Sequence, residues 1–599
     1  LGKIINNSLF IAPTAVVTVD SSALSGVTVG GSGAMALVGE CTSGQPITPM
    51  LFSSPQQAVA ALGSGPLVDS IKRAFSPSAN IPGAPFVYAV RANAGTQSLL
   101  TLNNGGTAVM TLTSTDYGKQ TQGVAVNIAT GTGGVGKNIQ VQYGNLTNAQ
   151  AQVSYNAIQV QFRDATTPAA SAATVAIAGT TLTTSVTLLV GGPTVKTIDL
   201  TVYKTLQAVV NVINSWGGGW SASVTAAQAS NPSTYLDECA ATAVYVVNAS
   251  TAAATQFYAN FQAVLDWFNN QSSFVTAASS GLLRKAPDNT TGWVFLGSDS
   301  SPHQGTDYGV GFSSTSYSDW GNALNALLPI DVSIVCVSSY DPVVHAALEA
   351  HVDQASTAQF KGERVALIGG ASGETVAQVQ ARAQSLHDPR IMLVYPGGSD
   401  IDPINPASGG LITIPPYNVA AQMAGMFCGG GVADALTHRY ISLQGLEVNL
   451  SAAQIDLLLL SGVCPIQNVP NTGFRIVQSL STWTADSNYL NTEISVRRAA
   501  DELSKRLRRA VDDTLVGRSV GGNLLSLAYS ITDSVLKSAH TDGILVGAPA
   551  YKNIQVTTPS ANTVQIDFQA SIAIPANYVS ITAHLTPFTG TIVTGTPTP

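Results

Sequence analysis

Apolar residues recur along this chain with two different periods, and the switches between them mark out its organisation. Residues 1–33 carry short apolar runs broken by Gly, Ser and Pro with no helical period, the pattern of an extended arm. GAMALVGECTSGQP then reads as a buried strand and turn. Two helices follow, PQQAVAALG and PLVDSIKRAF, the second with Leu67, Val68, Ile71 and Phe75 as its apolar positions, and FVYAVRA at 86–92 is again a strand. This alternation of β, α and β is how an α/β core begins. From about 96 to 250 the texture changes to Thr/Val/Ala-rich strands at short spacing with Gly and Asn turns, which predicts an all-β insertion of two modules. The helical stretch FYANFQAVLDWFNN leads back out of it. The α/β alternation then resumes: strand DVSIVCV, a helix with Asp341 as N-cap and Pro342 at its first position, strand RVALIGG, helix TVAQVQARAQSLH and strand IMLVYP.

The last quarter opens with two helical stretches, YNVAAQMAGMFCGGGVADAL and SAAQIDLLLLSGV, before a long helix from about Glu493 to Val516. Val496, Ala500, Leu503, Leu507, Ala510 and Leu515 hold its apolar face. Opposite charges stand four apart: Arg497 with Asp501, Arg498 with Glu502, Asp501 with Lys505, Glu502 with Arg506, Arg508 with Asp512 and Arg509 with Asp513. Strands close the chain. In TVQIDFQASI the apolar set is Val564, Ile566, Phe568, Ala570 and Ile572; in YVSITAHL it is Val579, Ile581, Ala583 and Leu585. The expected fold is a discontinuous α/β (α+β) core with inserted all-β domains and extended N- and C-terminal arms. Its parts are an arm at 1–33, a first core segment at 34–95, the β-rich insertion at 96–250, an α/β middle part at 251–470, a C-terminal core with the charged helix at 471–577, and a strand and arm at 578–599. No fixed-period repeat is present, which removes solenoids and propellers.

Composition sharpens this picture. Only 10% of residues are charged, against about 25% in ordinary soluble proteins, so much of the surface suits burial against other protein. The formal net charge is −8 with no long basic block, which argues against direct contact with nucleic acid. Five scattered cysteines, with no C-x-x-C pair, read as buried thiols in a reducing compartment. No apolar stretch reaches the length of a membrane span, and the broken N-terminal segment does not read as a signal peptide.

Two motifs invite a catalytic reading. GTGGVGKN at Gly131–Asn138 fits G-x-x-x-x-G-K, but Asn138 stands where a phosphate loop has Ser or Thr, and IQVQYG after it alternates like a strand. GRSVG around Ser519 fits a nucleophile elbow but follows a helix, where a Gly turn is the simpler reading. His345 and His351 are six apart on one predicted helix, facing different ways, and no metal-ligand spacing exists. Asp512 and Asp513, one turn after Arg508 and Arg509, read as a solvated salt-bridged face. No catalytic residue, cofactor or metal is expected. A charged helix can also steer docking between proteins, which makes Arg497, Arg498, Lys505, Arg506, Arg508 and Arg509 candidate docking residues.

The order of segments resembles the contractile tail sheath family of phages and related injection machines. The resemblance rests on ALVGECTSGQPITPMLFSSPQQAVAALG, GPLVDSIKRAF and FVYAVRA, then on GERVALIGG, PPYNVAAQMAGM, LQGLEVNLSAAQIDLLLLSGV, SVRRAADELSKRLRRAVDDTLVG and PANYVSITAHLTPFTG. It covers about the first 95 residues and nearly everything after about 310. It implies a core packed on a tail tube, insertions facing solvent, and arms that lend strands to neighbouring subunits. An extended N-terminal arm and an alternating C-terminal strand are independently what strand addition requires. The exchanged residues expected are Val16, Val17 and Val19 in segment 10–20, with Val579, Ile581, Ala583 and Leu585 in segment 578–590. The partners implied are further copies in hexameric rings stacked as a helix, a tail tube protein, and baseplate and tail terminator proteins. The implied location is the virion tail, assembled in the host cytoplasm. Alternatives are the sheath of a headless bacteriocin-type injection system and a β-rich host-surface binding protein.

Overall fold

The computed structural model describes residues 3–5, 8–10, 33–164, 169–247, 252–300, 304, 315–401, 410–560 and 563–582. Its centre is one mixed sheet built from two distant parts of the chain. The first part supplies β1 (Ala34–Gly39), β2 (Met50–Phe52), α1 (Pro55–Leu62), α2 (Pro66–Phe75) and β3 (Phe86–Arg91). The second supplies β4 (Ile334–Val337), α3 (Pro342–Ala355), β5 (Val365–Gly369), α4 (Val376–Leu386), β6 (Ile391–Tyr395), α5 (Pro416–Gly429), β7 (Tyr440–Ile441), α6 (Ala452–Leu460), β8 (Val463–Val469) and β9 (Gly473–Ile476). The strand order is β7-β9-β8-β6-β5-β4-β1-β3-β2. The run from β8 to β3 is parallel, with antiparallel strands at both edges. Central parallel strands are covered on both faces, so their sequences are nearly continuous apolar runs whose alternate residues serve two separate cores. Met35, Leu37, Ile334, Cys336, Val365 and Leu367 face α2 and α5; Ala36, Val38, Val335, Val337, Ala366 and Ile368 face α3, α4 and the helix Tyr317–Asn325.

The local signals act as their chemistry predicts. Asp341 caps α3 by accepting from the Val343 amide at 2.8 Å, and Pro342 occupies the first helical position. Thr375 and Gln378 form a capping box on α4, as Ser451 and Gln454 do on α6. All five cysteines are free, and four of them are buried.

β1 pairs directly with β4 in register Met35 with Ile334, so the chain leaves the core after β3 and returns to the same place. The excursion holds two β-rich cores, one nested in the other. Residues of 99–153 join the helix Asn260–Asn270, Val275 and Leu296 in the first core. Residues 157–259 form the second, with the helix Leu206–Ser215 beside its strands. The stretch FYANFQAVLDWFNN therefore closes the first β module through Phe261, Val264, Trp267 and Phe268 instead of leading back into the α/β core. Beyond the sheet come α7 (Ile494–Thr514), α8 (Gly522–Thr541) and the antiparallel hairpin of β10 (Tyr551–Ser560) and β11 (Thr563–Ala570).

The backbone of α5 approaches α2 and the segment after it closely. A Cβ at Gly425 would collide with the Ala74 carbonyl, and one at Gly429 with that of Pro82. Gly321, by contrast, is an ordinary helical glycine with open space around its absent Cβ. Gly425→Val should therefore cost about 3 kcal/mol, while Gly321→Ala should stabilise by about 0.5–1 kcal/mol through helix propensity. Urea unfolding of the two variants against wild type measures both, and equal effects would contradict the packing described.

Candidate assembly surface

α7 lies across the N-terminal ends of the central strands, and its charges face them. Asp331, Glu363 and Arg390 stand just before β4, β5 and β6. Arg390 forks onto Asp501 at 2.6 and 3.1 Å, and Lys505 donates to one oxygen of Asp331 at 2.7 Å. Arg509 pairs with the other Asp331 oxygen, and Arg508 forks onto Glu363, one branch at 3.1 Å. Arg498 is only 3% exposed; it donates to the Phe427 carbonyl at 3.0 Å and lies over that ring at 4.8 Å. Arg497 donates to Asn491 at 2.7 Å.

Of the pairs expected four apart along the helix, Glu502 with Arg506 forms, at 2.8 Å, and Arg506 also holds Asp542. Arg508 and Arg509 turn instead to Glu363 and Asp331, and Asp512 pairs with Lys361 at 3.2 Å. The reason is burial: Arg498, Asp501 and Lys505 lie inside the protein, so the first half of α7 is an internal strut and not a solvated face. Burial raises the carboxyl of Asp331, but Lys505 and Arg509 overcome it and hold the group below its ordinary range. At Asp501 burial wins over Arg390, and the carboxyl is pushed up.

α8 and the hairpin complete this end of the molecule. Leu536, Ala539, Ile544 and Leu545 pack with Ala499 and Leu503 of α7 and with Ile554 and Phe568 of the hairpin. Val556, Val564 and Ile566 pack with Leu524 and Ala528. Two strands alone make this sheet among the described residues, so each has one edge with open backbone groups. After β11 the chain runs back past Leu545, and Asn577 donates to Glu493 at 2.7 Å. From there it leaves the surface: Tyr578 is 90% exposed, Val579 78% and Ile581 86%. Of the strand expected at 578–585, residues 578–582 are described and are not in a strand. Ala583 and Leu585 lie outside the described residues, as do Val16, Val17 and Val19; Lys3–Ile5 pairs with Ser8–Phe10. α8 and β10 went unpredicted, although Leu524, Ala528, Ile531 and Leu536 carry a helical period after Gly521 and Gly522.

Neither catalytic motif has the geometry its chemistry needs. Lys137 opens a strand, paired with Thr130 across a hairpin, and donates to Asn289 at 3.0 Å. Ser519 is exposed between two helices, α7 and α8. His345 and His351 are both buried: His345 Nε2 donates to the Ser339 carbonyl at 2.9 Å, and His351 Nε2 is 3.3 Å from Arg364. No group of three or more possible metal ligands occurs among the described residues, and no described helix is long and apolar enough to cross a membrane.

No family model matches the chain. It is 25% identical to the tail sheath protein of Bacillus phage SP01 over 614 residues, covering 98% of each chain. It is 27% identical over 552 residues to the counterpart in Enterococcus phage phiEF24C, covering 88% of each. Among solved structures, the sheath tail protein of Desulfitobacterium hafniense matches with a TM-score of 0.52 at 11% identity, covering 94% of this chain and 100% of that one. At that identity the likeness speaks for the fold.

Two predictions follow from the buried charges. Asp331→Ala strands Lys505, only 4% exposed, and should cost about 3–5 kcal/mol in urea unfolding, with Lys505→Met in the same chain recovering much of the loss. Burial, joined by Arg382 or Arg364, pushes His345 and His351 down to about 4. The folded protein then binds fewer protons than the unfolded chain below about pH 6.5, so the histidines' contribution is complete above that pH and is lost as pH falls towards 4. Burial pushes Glu40, Asp237 and Glu349 up to about 7, giving the opposite slope in the same window. The informative quantity is therefore the difference between wild type and His→Gln variants. It should move against wild type by about 2 kcal/mol per histidine between pH 7 and pH 5.

Proposed function

We infer that this chain, 25% identical to a phage tail sheath protein over 98% of its length, is a structural subunit of a contractile sheath. Copies stack as rings, six to a ring, in a helix around a tail tube. The observation that carries the reading is the C-terminal hairpin, two-stranded among the described residues, next to a segment whose sequence alternates as a strand while its described residues are exposed. An arm from a neighbouring copy laid against β10 or β11 would satisfy the open backbone groups, while alternate side chains set its register. The N-terminal segment around Val16, Val17 and Val19 supplies a second such arm.

Contraction then needs no nucleotide. An extended lattice is metastable, and subunits rotate and slide into a shorter state with more buried interface while the arms keep them linked. A gain of about 1 kcal/mol biases one subunit roughly fivefold, and over a long polymer this becomes decisive. The ends of such a sheath would meet baseplate and terminator proteins. The relatives come from phages, which favours a virion tail over a headless injection system.

Because Val579 and Ile581 face solvent in the single chain, Val579→Asp with Ile581→Asp should change its stability by less than about 0.5 kcal/mol. The same pair of substitutions, or removal of 578–599, should leave soluble subunits that form no striated tubes in negative-stain microscopy. Normal tubes from either variant would refute strand exchange at this arm.

A further inference from the structure

The sheath reading leaves the two β modules without a task beyond facing solvent. Where one gives way to the other, between strands Leu146–Val153 and Asn156–Arg163, the surface opens into a cleft of about 660 Å³. That size is ordinary for a small-molecule site. Its lining is chemically selective: Gln152, Asn156, Gln228 and Gln256 supply amides, Tyr155 and Tyr258 supply rings, and no charged side chain lines it.

Several of these groups are held in place. Gln152 sits in the left-handed region, φ 60°, inside a β-bulge of the strand, and its backbone N–H donates to Asn138 Oδ1 at 2.8 Å. A non-glycine residue there is strained, and a bulge re-aims side chains. Gln256 Nε2 donates to the Ile158 and Phe257 carbonyls at 3.1 and 2.6 Å, which leaves its oxygen for a ligand. Gln228 accepts from Asn231 at 2.6 Å, which leaves its amino group. Tyr155 packs against both module cores, which fixes its ring at the seam.

We propose that this cleft binds a neutral saccharide. Amides present a donor and an acceptor side by side, the complement of neighbouring sugar hydroxyls, and tyrosine faces accept the polarised C–H groups of a pyranose ring. A phosphorylated, sulfated or sialylated glycan would need a cation, and the lining holds none. The inference stands independently of polymerisation, since the cleft lies within one chain.

The test uses the purified full chain on immobilised neutral oligosaccharides ending in glucose, galactose or N-acetylglucosamine, with sulfated and sialylated counterparts alongside. Retention of at least one neutral glycan in preference to its charged counterpart is expected. Tyr258→Ala and Gln228→Ala should each weaken it about tenfold, the loss of one ring face or one amide pair. Thr225→Arg, at an exposed position on the rim, should block it while leaving thermal unfolding unchanged, which keeps the test valid if the alanine variants fold poorly. No retention of any neutral glycan, stronger retention of the charged ones, or binding untouched by Thr225→Arg would each overturn the proposal.

Discussion

The seam between α7 and the N-terminal ends of β4, β5 and β6 is the constraint on which the rest of the architecture depends. A chain with few charges gathers 11 of them between Glu493 and Asp513 and joins them to Asp331, Glu363 and Arg390 at the mouths of three adjacent strands. An apolar stripe repeats every three or four residues and leaves a helix several positions of similar packing along its axis. Forked guanidinium–carboxylate pairs do not repeat in that way, and fix one position. α8 and the hairpin follow α7 in the chain and pack with it, and the arm departs from Asn577, bonded to Glu493 at the start of α7, so their placement against the core is inherited from this seam. A force on the arm is thereby delivered to the sheet through buried contacts, Arg498 on Phe427 among them.

The same seam shows how far the sequence can be read. Core strands and helices were legible because each is written in local signals: unbroken apolar runs at 34–39, 334–337, 365–369 and 391–395, and the Asp341-Pro342 start. The charged helix was legible as a helix, and similarity to phage sheath proteins supports the family reading. What its charges touch was not. Local spacing offers partners four residues away, but Arg390, Glu363 and Asp331 approach from 111, 145 and 178 residues away, and burial makes those pairs the better ones. The nesting of one β module in the other was hidden for a related reason, since the apolar face of Asn260–Asn270 does not say which sheet it will cover. α8 carries a usable period, yet the glycines before it drew the reading towards a turn.

At 578–582 sequence and single-chain structure part, and the disagreement is itself informative. A β-strand's alternation has value only against a partner, because an unpaired strand gains neither ladder hydrogen bonds nor a buried face. In this chain the segment after Asn577 keeps the pattern while its described residues stand in solvent, and the nearby hairpin keeps the opposite imbalance, backbone edges with no partner strand among the described residues. Each half is unfavourable alone. A neighbour's arm on that edge would complete both at once, with no change to the core seam that holds the hairpin in place.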